Sequence, residues 1–331
     1  MYRYSWLRDG AFIAEAMSRA DAVDSAEAFF GWCAKVITDR AERITSLVSR
    51  ARRGEPVPID DHLPTRFTVD GDEAREEWWD FQLDGYGAWM WALDAHVRRH
   101  GRQPDAALPA VDLCAEYLAA FWDEPCYDWW EEHAEGIHPS TLAAISAGLR
   151  SAVALGARPA IAAAASVAVD AINELVQRRG VVDGHLVKTI GAGPVIDASL
   201  VAGSVPFGLV AAGGPVAEAT YRAVVEQLAP DGVYRYRDDT YFGGGRWVLL
   251  AGFLGWYEAV TGRADEARRR LRWMHNQADA DGQLPEQVTG DALEPSFIAV
   301  WERRWGPVAR PLLWSHAMYV TLADELGLIN D

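Results

Sequence analysis

Two adjacent carboxylates, Glu131 and Glu132, follow a pair of indoles in the run Cys126-Tyr127-Asp128-Trp129-Trp130-Glu131-Glu132-His133, and a third, Glu286, stands in Leu284-Pro285-Glu286-Gln287. Adjacent carboxylates repel, so one of such a pair is pushed toward its protonated form, and the indoles of Trp129 and Trp130 lower the local polarity and push the same way. One protonated and one ionised carboxyl on either side of a bond is the requirement of glycosidic hydrolysis. Glu286 lies 155 residues beyond Glu131, so the fold has to bring it across the site.

Four further runs mix aromatic and charged residues. They are Tyr2-Arg3-Tyr4-Ser5-Trp6-Leu7-Arg8-Asp9; Trp78-Trp79-Asp80-Phe81-Gln82-Leu83-Asp84-Gly85; Tyr234-Arg235-Tyr236-Arg237-Asp238-Asp239-Thr240-Tyr241-Phe242-Gly243-Gly244-Gly245-Arg246-Trp247; and Pro311-Leu312-Leu313-Trp314-Ser315-His316. A pyranose presents apolar C–H faces that stack on indole and phenol rings. Its rim of hydroxyls needs donors and acceptors in a fixed fork, which Arg and Asp supply together. Taken singly, each run has a plainer explanation: acidic residues at a helix start, a surface ion pair, or a flexible glycine turn. Their joint placement at one end of a fold is what gives them a common purpose.

Bulk properties narrow the partners. The net charge of −17 and pI near 4.9 argue against nucleic acid or an anionic membrane, both of which need clustered Lys and Arg, and leave a neutral ligand open. The three cysteines, Cys33, Cys114 and Cys126, offer no disulfide framework and fit a reducing cytoplasm. The N-terminus has no apolar signal core, and no run of about 18 apolar residues points to a spanning helix. The Gly243–Gly245 stretch lacks the Gly-Lys-Ser/Thr of a P-loop. His133 and His138 are five apart, a poor metal spacing; no metal and no cofactor are expected.

The elements that position these runs are helical. The periodicity predicts helices over 9–20, 24–50, 82–99, 105–121, 138–155, 158–178, 197–204, 215–228, 246–261, 263–278 and 310–327. Asp24 with Glu27 suggests a capping box, and Gly156 and Gly180 suggest C-caps. Only 181–190, around Asp183-Gly184, reads as a hairpin. Short and long connections alternate, and the long ones carry the aromatic and charged runs. Such a repeated helix-hairpin plan predicts an all-α (α/α)6 barrel as a single domain over 1–331, with the runs at one end. Eleven helices are one short of twelve, which predicts that the first barrel helix is absent. An irregular bundle with surface loops is the plainer alternative.

In this order the motifs Tyr-x-Tyr-x-Trp-x-Arg-Asp, Gln-Leu-Asp-Gly-Tyr-Gly, Tyr-Asp-x-Trp-Glu-Glu, Arg-Tyr-x-x-Asp-Thr-Tyr-x-Gly-Gly, Pro-Glu-Gln and Pro-Leu-Leu-Trp-Ser-His resemble glycoside hydrolase family 15, from Tyr2 to about Leu326. The family contains glucoamylases, glucodextranases, isomaltose glucohydrolases and bacterial trehalases. The resemblance implies an inverting exo-acting α-glucoside hydrolase, with Glu131 as general acid, Glu286 as general base and the two carboxyls roughly 6.5–9.5 Å apart. It implies that Arg8 and Asp9 grip the 4- and 6-hydroxyls of the terminal glucose, with Trp6 and Trp78 around it and Tyr2 orienting the base. The Trp129 carbonyl and Arg235 would hold ring hydroxyls, Asp239 belongs to the same binding set, and Trp130, Glu132 and Trp247 would shape the leaving-sugar side. Bacterial members often carry an N-terminal β-sandwich; none is expected within residues 1–331.

Trp129 stands where an aliphatic residue is usual in glucoamylases, which favours a short substrate such as isomaltose over starch. Trehalase is the alternative within the family, and a non-catalytic sugar-binding scaffold the alternative outside it. The presence of both Glu131 and Glu286 argues against the scaffold.

Overall fold

The computed structural model describes residues 3–74 and 80–329, so Tyr2 and Trp78 lie outside the described residues. The α-helices among the described residues are α1 (Leu7–Arg19), α2 (Val23–Thr38), α3 (Ala41–Arg52), α4 (Asp84–His100), α5 (Leu108–Phe121), α6 (Pro139–Leu155), α7 (Pro159–Leu175), α8 (Pro215–Leu228), α9 (Val248–Val260), α10 (Ala264–His275), α11 (Ile298–Trp305) and α12 (Leu313–Glu325). Six inner elements close a ring in the order α1, α4, α6, the 3-10 segment Ala198–Gly203, α9 and α12, with α12 packing back on α1. Behind them α2, α5, α7, α8 and α10 form the outer layer. This is the (α/α)6 barrel, with five outer helices among the described residues and none backing the α12–α1 seam.

Sequence decides which helix goes where. Every residue of α9 from Val248 to Glu258 is buried, as befits an inner helix enclosed on all sides. In α10 only Ala267, Leu271 and Met274 are buried, a single stripe at a spacing of four and three, so it lies outside. Gly87 on α4 and Gly148 on α6 let two inner helices touch backbone to backbone. A Cβ on Gly87 would come within 2.3 Å of the Ala144 carbonyl oxygen, and one on Gly148 within 2.5 Å of the Gly87 Cα. The barrel axis is filled by aromatic rings around Phe12, whose centroid lies 5.3 Å from Trp91, 5.0 Å from Phe253 and 5.5 Å from Trp314.

Several expectations need correction. The helix predicted over 24–50 breaks at Asp39 and Arg40, where Arg40 Nη1 takes the Val36 carbonyl (2.8 Å) and Arg40 N turns to Ile37 O (3.0 Å). The capping box does not form. Ala22 precedes the helix, Asp24 sits in its first turn, and Glu27 meets Arg102 at 3.0 Å instead. The segment expected to be helical over 197–204 is the shorter 3-10 element, capped by the Asp197 carboxylate accepting from Ser199 N (2.8 Å). Gly156 closes α6 in the left-handed region (φ 96°), whereas α7 runs into a π turn over Val176–Gly180. Residues 159–180 are long and apolar enough by composition to cross a bilayer, contrary to the sequence reading; here α7 packs along α6 and α5.

The hairpin around Asp183-Gly184 is present as β3 (Val181–Val182) paired antiparallel with β4 (His185–Leu186), after β1 (Ser5–Trp6) with β2 (Arg66–Phe67) earlier in the chain. A third ribbon, β5 (Arg246–Trp247) with β6 (Gln287–Val288), delays the start of α9 to Val248 and ties the 235–247 loop to the segment carrying Glu286. Gly244 and Gly245 serve that tie rather than a ligand or a loose turn. A Cβ on Gly244 would meet Asp239 O at 2.2 Å, and one on Gly245 would meet Val288 O at 2.7 Å.

Candidate active site

The long connections all precede inner elements, so their side chains converge at one barrel mouth. They enclose a cavity of about 420 Å³ lined by Trp6, Arg8, Asp9, Trp129, Trp130, Glu131, Glu132, Arg235, Trp247 and Glu286, ten of the residues singled out in the sequence. Asp239 does not line it. It is fully buried behind Arg235, accepting from Arg235 Nε at 2.7 Å and again from Nη2.

Arg8 sits in the first turn of α1, where the helix dipole disfavours a cation. Asp84 at 3.1 Å and Asp9 at 3.3 Å compensate, and the Glu131 carboxyl lies at 3.6 Å. Burial pulls the guanidinium pKa down, and these neighbours more than reverse it, so Arg8 stays charged. Its plane lies over Trp314 (5.3 Å) and Trp129 (5.9 Å), which floor the cavity. Burial raises Asp9 to about 6 against the opposing pull of Arg8.

Glu131 is raised to about 8, first by burial, against the pull of Arg8, with Asp9, Asp128 and Asp84 pushing the same way as burial. The neighbouring Glu132 is not the cause that its adjacency suggests. That carboxylate instead faces Arg235 Nη2 (3.3 Å) and accepts from the Tyr236 hydroxyl, so it is turned to another wall. Glu131 has a left-handed backbone (φ 58°) within a tight turn. Asp128 Oδ1 ties that turn by accepting from Trp130 N (2.9 Å) and Glu132 N (3.0 Å).

Glu286 lines the same cavity, 4% exposed. Its amide donates to Ala309 O (2.9 Å), its carbonyl accepts from Val248 N (3.2 Å), and Ser315 Oγ holds the preceding Pro285 carbonyl (2.8 Å). The geometry therefore brings Glu131 and Glu286 to one cavity from segments far apart in the chain.

Arg235 lies in an aromatic cage, 5.1–5.4 Å from the rings of Trp130, Tyr236, Tyr241 and Trp247. Asp128, Glu132 and His133 bring ligand atoms within 4.8 Å of one another, but Lys188 engages Asp128 (3.2 Å), and Arg235 and Tyr236 engage Glu132. His138 does not face a metal with His133; its Nε2 lies 3.0 Å from the His133 carbonyl.

The cavity is also lined by Tyr127, His133, Tyr241, Trp301, Leu312 and Trp314, which the sequence reading assigned no role. Most of these sit inside the quoted motifs, and the motif was their signal. Trp301 comes from α11, which was not expected at all; two tryptophans four apart in Trp301-Glu302-Arg303-Arg304-Trp305 were the available cue. Asp84 and Lys188 act behind the lining; Asp84 stands in a quoted motif without a role, and Lys188 left no local signal.

The arrangement presents one carboxyl that keeps its proton, a second carboxyl, an Arg–Asp fork and aromatic walls. Isomaltose glucohydrolase of Kribbella flavida is 49% identical over 329 residues, covering 98% of this chain and 85% of that protein. The trehalase of Mycolicibacterium smegmatis is 27% identical over 257 residues, covering 71% and 37%. Among solved structures, a glycosidase with one glutamate replaced by alanine, in complex with glucose, superposes with TM-score 0.95 at 49% identity, covering 98% of this chain and 88% of that one. The model of the glycosyl hydrolases of family 15 matches residues 1–292, and with those likenesses and this site the chain belongs to that family.

Proposed function

We propose that the protein releases glucose from the non-reducing end of isomaltose or a similarly short α-glucoside, with inversion. Glu131 donates its proton to the leaving oxygen, and Glu286 takes a proton from the water that attacks the opposite face. The observation that carries this reading is a cavity in which one buried carboxyl, Glu131, holds its proton to about pH 8 while Glu286 lines the same space.

Arg8 and Asp9 stand over the Trp129–Trp314 floor, where they would grip the terminal sugar and exclude a continuing chain. That makes the action exo. Arg235 in its cage, with Glu132, Trp130 and Trp247, borders the rest of the cavity and would take the leaving sugar. The half-buried Trp301 on α11 adds a wall there, which favours a disaccharide over starch. Tyr2 and Trp78 retain the roles that the family resemblance implies, orienting the base and packing beside the sugar. The unpaired, buried thiols of Cys33, Cys114 and Cys126 favour a reducing cytoplasm.

Glucose release from isomaltose, maltose, trehalose and soluble starch, with the product anomer followed by NMR, tests the reading. The expected result is fastest turnover of isomaltose with β-glucose as first product. A preference for trehalose would make the enzyme a trehalase, a preference for starch would overturn the short-substrate reading, and α-glucose as first product would overturn inversion.

A further inference from the structure

The hairpin formed by β3 and β4 has no part in the cavity lining, yet the residue that follows it closely, Lys188, reaches the turn that carries Glu131. Lys188 is 6% exposed. Its ammonium lies 2.9 Å from Asp197 Oδ2, 3.2 Å from Asp128 Oδ2 and 3.5 Å from the centre of the Tyr236 ring. A buried amine needs this much compensation to stay charged, and all three partners hold site residues. Asp128 ties the Glu131 turn, Asp197 Oδ2 accepts from the Trp130 indole (2.8 Å), and the Tyr236 hydroxyl donates to Glu132. The backbone after the hairpin is fixed as well, by Lys188 N donating to Val195 O (2.8 Å) and Ile190 N to Ile137 O (2.9 Å).

Without the ammonium, Asp128 and Asp197 would face each other as buried like charges. Their repulsion would pull apart the turn and the indole that the cation now draws together. Arg8 and Asp9 come from α1 and are not part of this knot.

We propose that Lys188 is a positioning residue for the general acid: its ammonium, held between Asp128 and Asp197, fixes the 128–132 turn so that Glu131 meets the leaving oxygen. The inference rests on the assignment of Glu131 as the proton donor. It predicts a defect confined to leaving groups that need a proton. Lys188→Met is measured on isomaltose and on α-glucosyl fluoride, whose fluoride leaves with little protonic assistance. Turnover of isomaltose falls about 30-fold, in keeping with a misplaced but present acid, with KM within about threefold, while turnover of the fluoride changes less than about threefold. Equal loss on both substrates, or no loss on either, overturns the proposal. If the Met variant does not fold, Lys188→Gln is read the same way: an isomaltose-to-fluoride ratio unchanged from wild type overturns it. Should Glu131→Gln hydrolyse isomaltose as well as wild type, the assignment of the acid fails; an intact Glu131 effect with an unaltered Lys188 ratio defeats the positioning role alone.

Discussion

Arg8 Nη2 lies 3.6 Å from Glu131 Oε1, yet the carboxyl keeps its proton to about pH 8. A lone guanidinium at that distance would favour the ionised form. Here its charge is already spoken for by Asp84 and Asp9, both closer, so the field at Glu131 is close to balanced and burial decides. The same arginine thus lines the cavity without drawing the proton from Glu131.

The pH profile follows with its sign fixed. A general acid works in its protonated form, so kcat/KM should hold below about pH 8 and fall as pH rises through that value. On the acid side Asp9 takes up a proton below about 6 and weakens as an acceptor for sugar hydroxyls. Initial rates on isomaltose across pH 4–10, a range of about six units that spans both transitions, check this. A basic limb centred near the ordinary carboxylate range would remove Glu131 from the role of acid.

Stability should respond to the same group. In the unfolded chain Glu131 loses its proton near 4.5, whereas in the folded protein it does so near 8. Between those values the native state binds more protons, so this group's contribution falls as pH rises through the window. Glu131→Gln removes the penalty. The variant should gain up to about 3 kcal/mol over wild type at pH 7 and nothing at pH 4. Urea unfolding at the two pH values measures it, and an equal difference at both would contradict the buried, protonated state.

Asp84 is the closest partner of Arg8, and both side chains are buried. Asp84→Ala leaves a buried guanidinium short of its main counter-charge, so a loss of roughly 3–5 kcal/mol is expected. The freed arginine should also swing toward Glu131 and lower the pKa of that carboxyl, moving the basic limb of kcat/KM down. A urea midpoint within error of wild type would show that Asp9 and Glu131 suffice to hold Arg8.

What the sequence reveals here depends on range. The helix over Val248–Val260 was legible because Val248 to Tyr257 carry no charged side chain on any face, and the hairpin because Asp183-Gly184 accepts positive φ. The break between α2 and α3 stayed hidden, since Arg40 ends α2 by bonding Val36 O while its guanidinium also reaches Gly71 and Glu73 far along the chain. Glu131 and Glu286 were legible as residue types in motifs, but the cause of the Glu131 shift was not. Adjacent carboxylates on paper diverge in space when a left-handed residue turns one toward Arg8 and the next toward Arg235. The roles of Lys188 and Asp84 were hidden for the same reason: their meaning lies in partners 60 and 76 residues away.

Trp301 offers the sharpest test of the proposed preference for a short substrate. It stands on α11, half-buried, with its ring 5.0 Å from Tyr241, which in turn stacks on Trp247 at 6.1 Å. These rings form one wall of the cavity beside Arg235. Trp301→Ala removes the outermost indole and the stacking it gives the leaving sugar, worth about 0.5–1.5 kcal/mol beyond the area it covers. KM for isomaltose should rise about 3- to 10-fold with kcat little changed, because the proton transfer proposed for Glu131 involves the 128–132 turn rather than α11. Longer isomalto-oligosaccharides should lose less than isomaltose, since the removed ring no longer bars their path. Steady-state kinetics on isomaltose and isomaltotriose decide the matter, and an equal loss on both would mean that Trp301 supports the wall without setting substrate length.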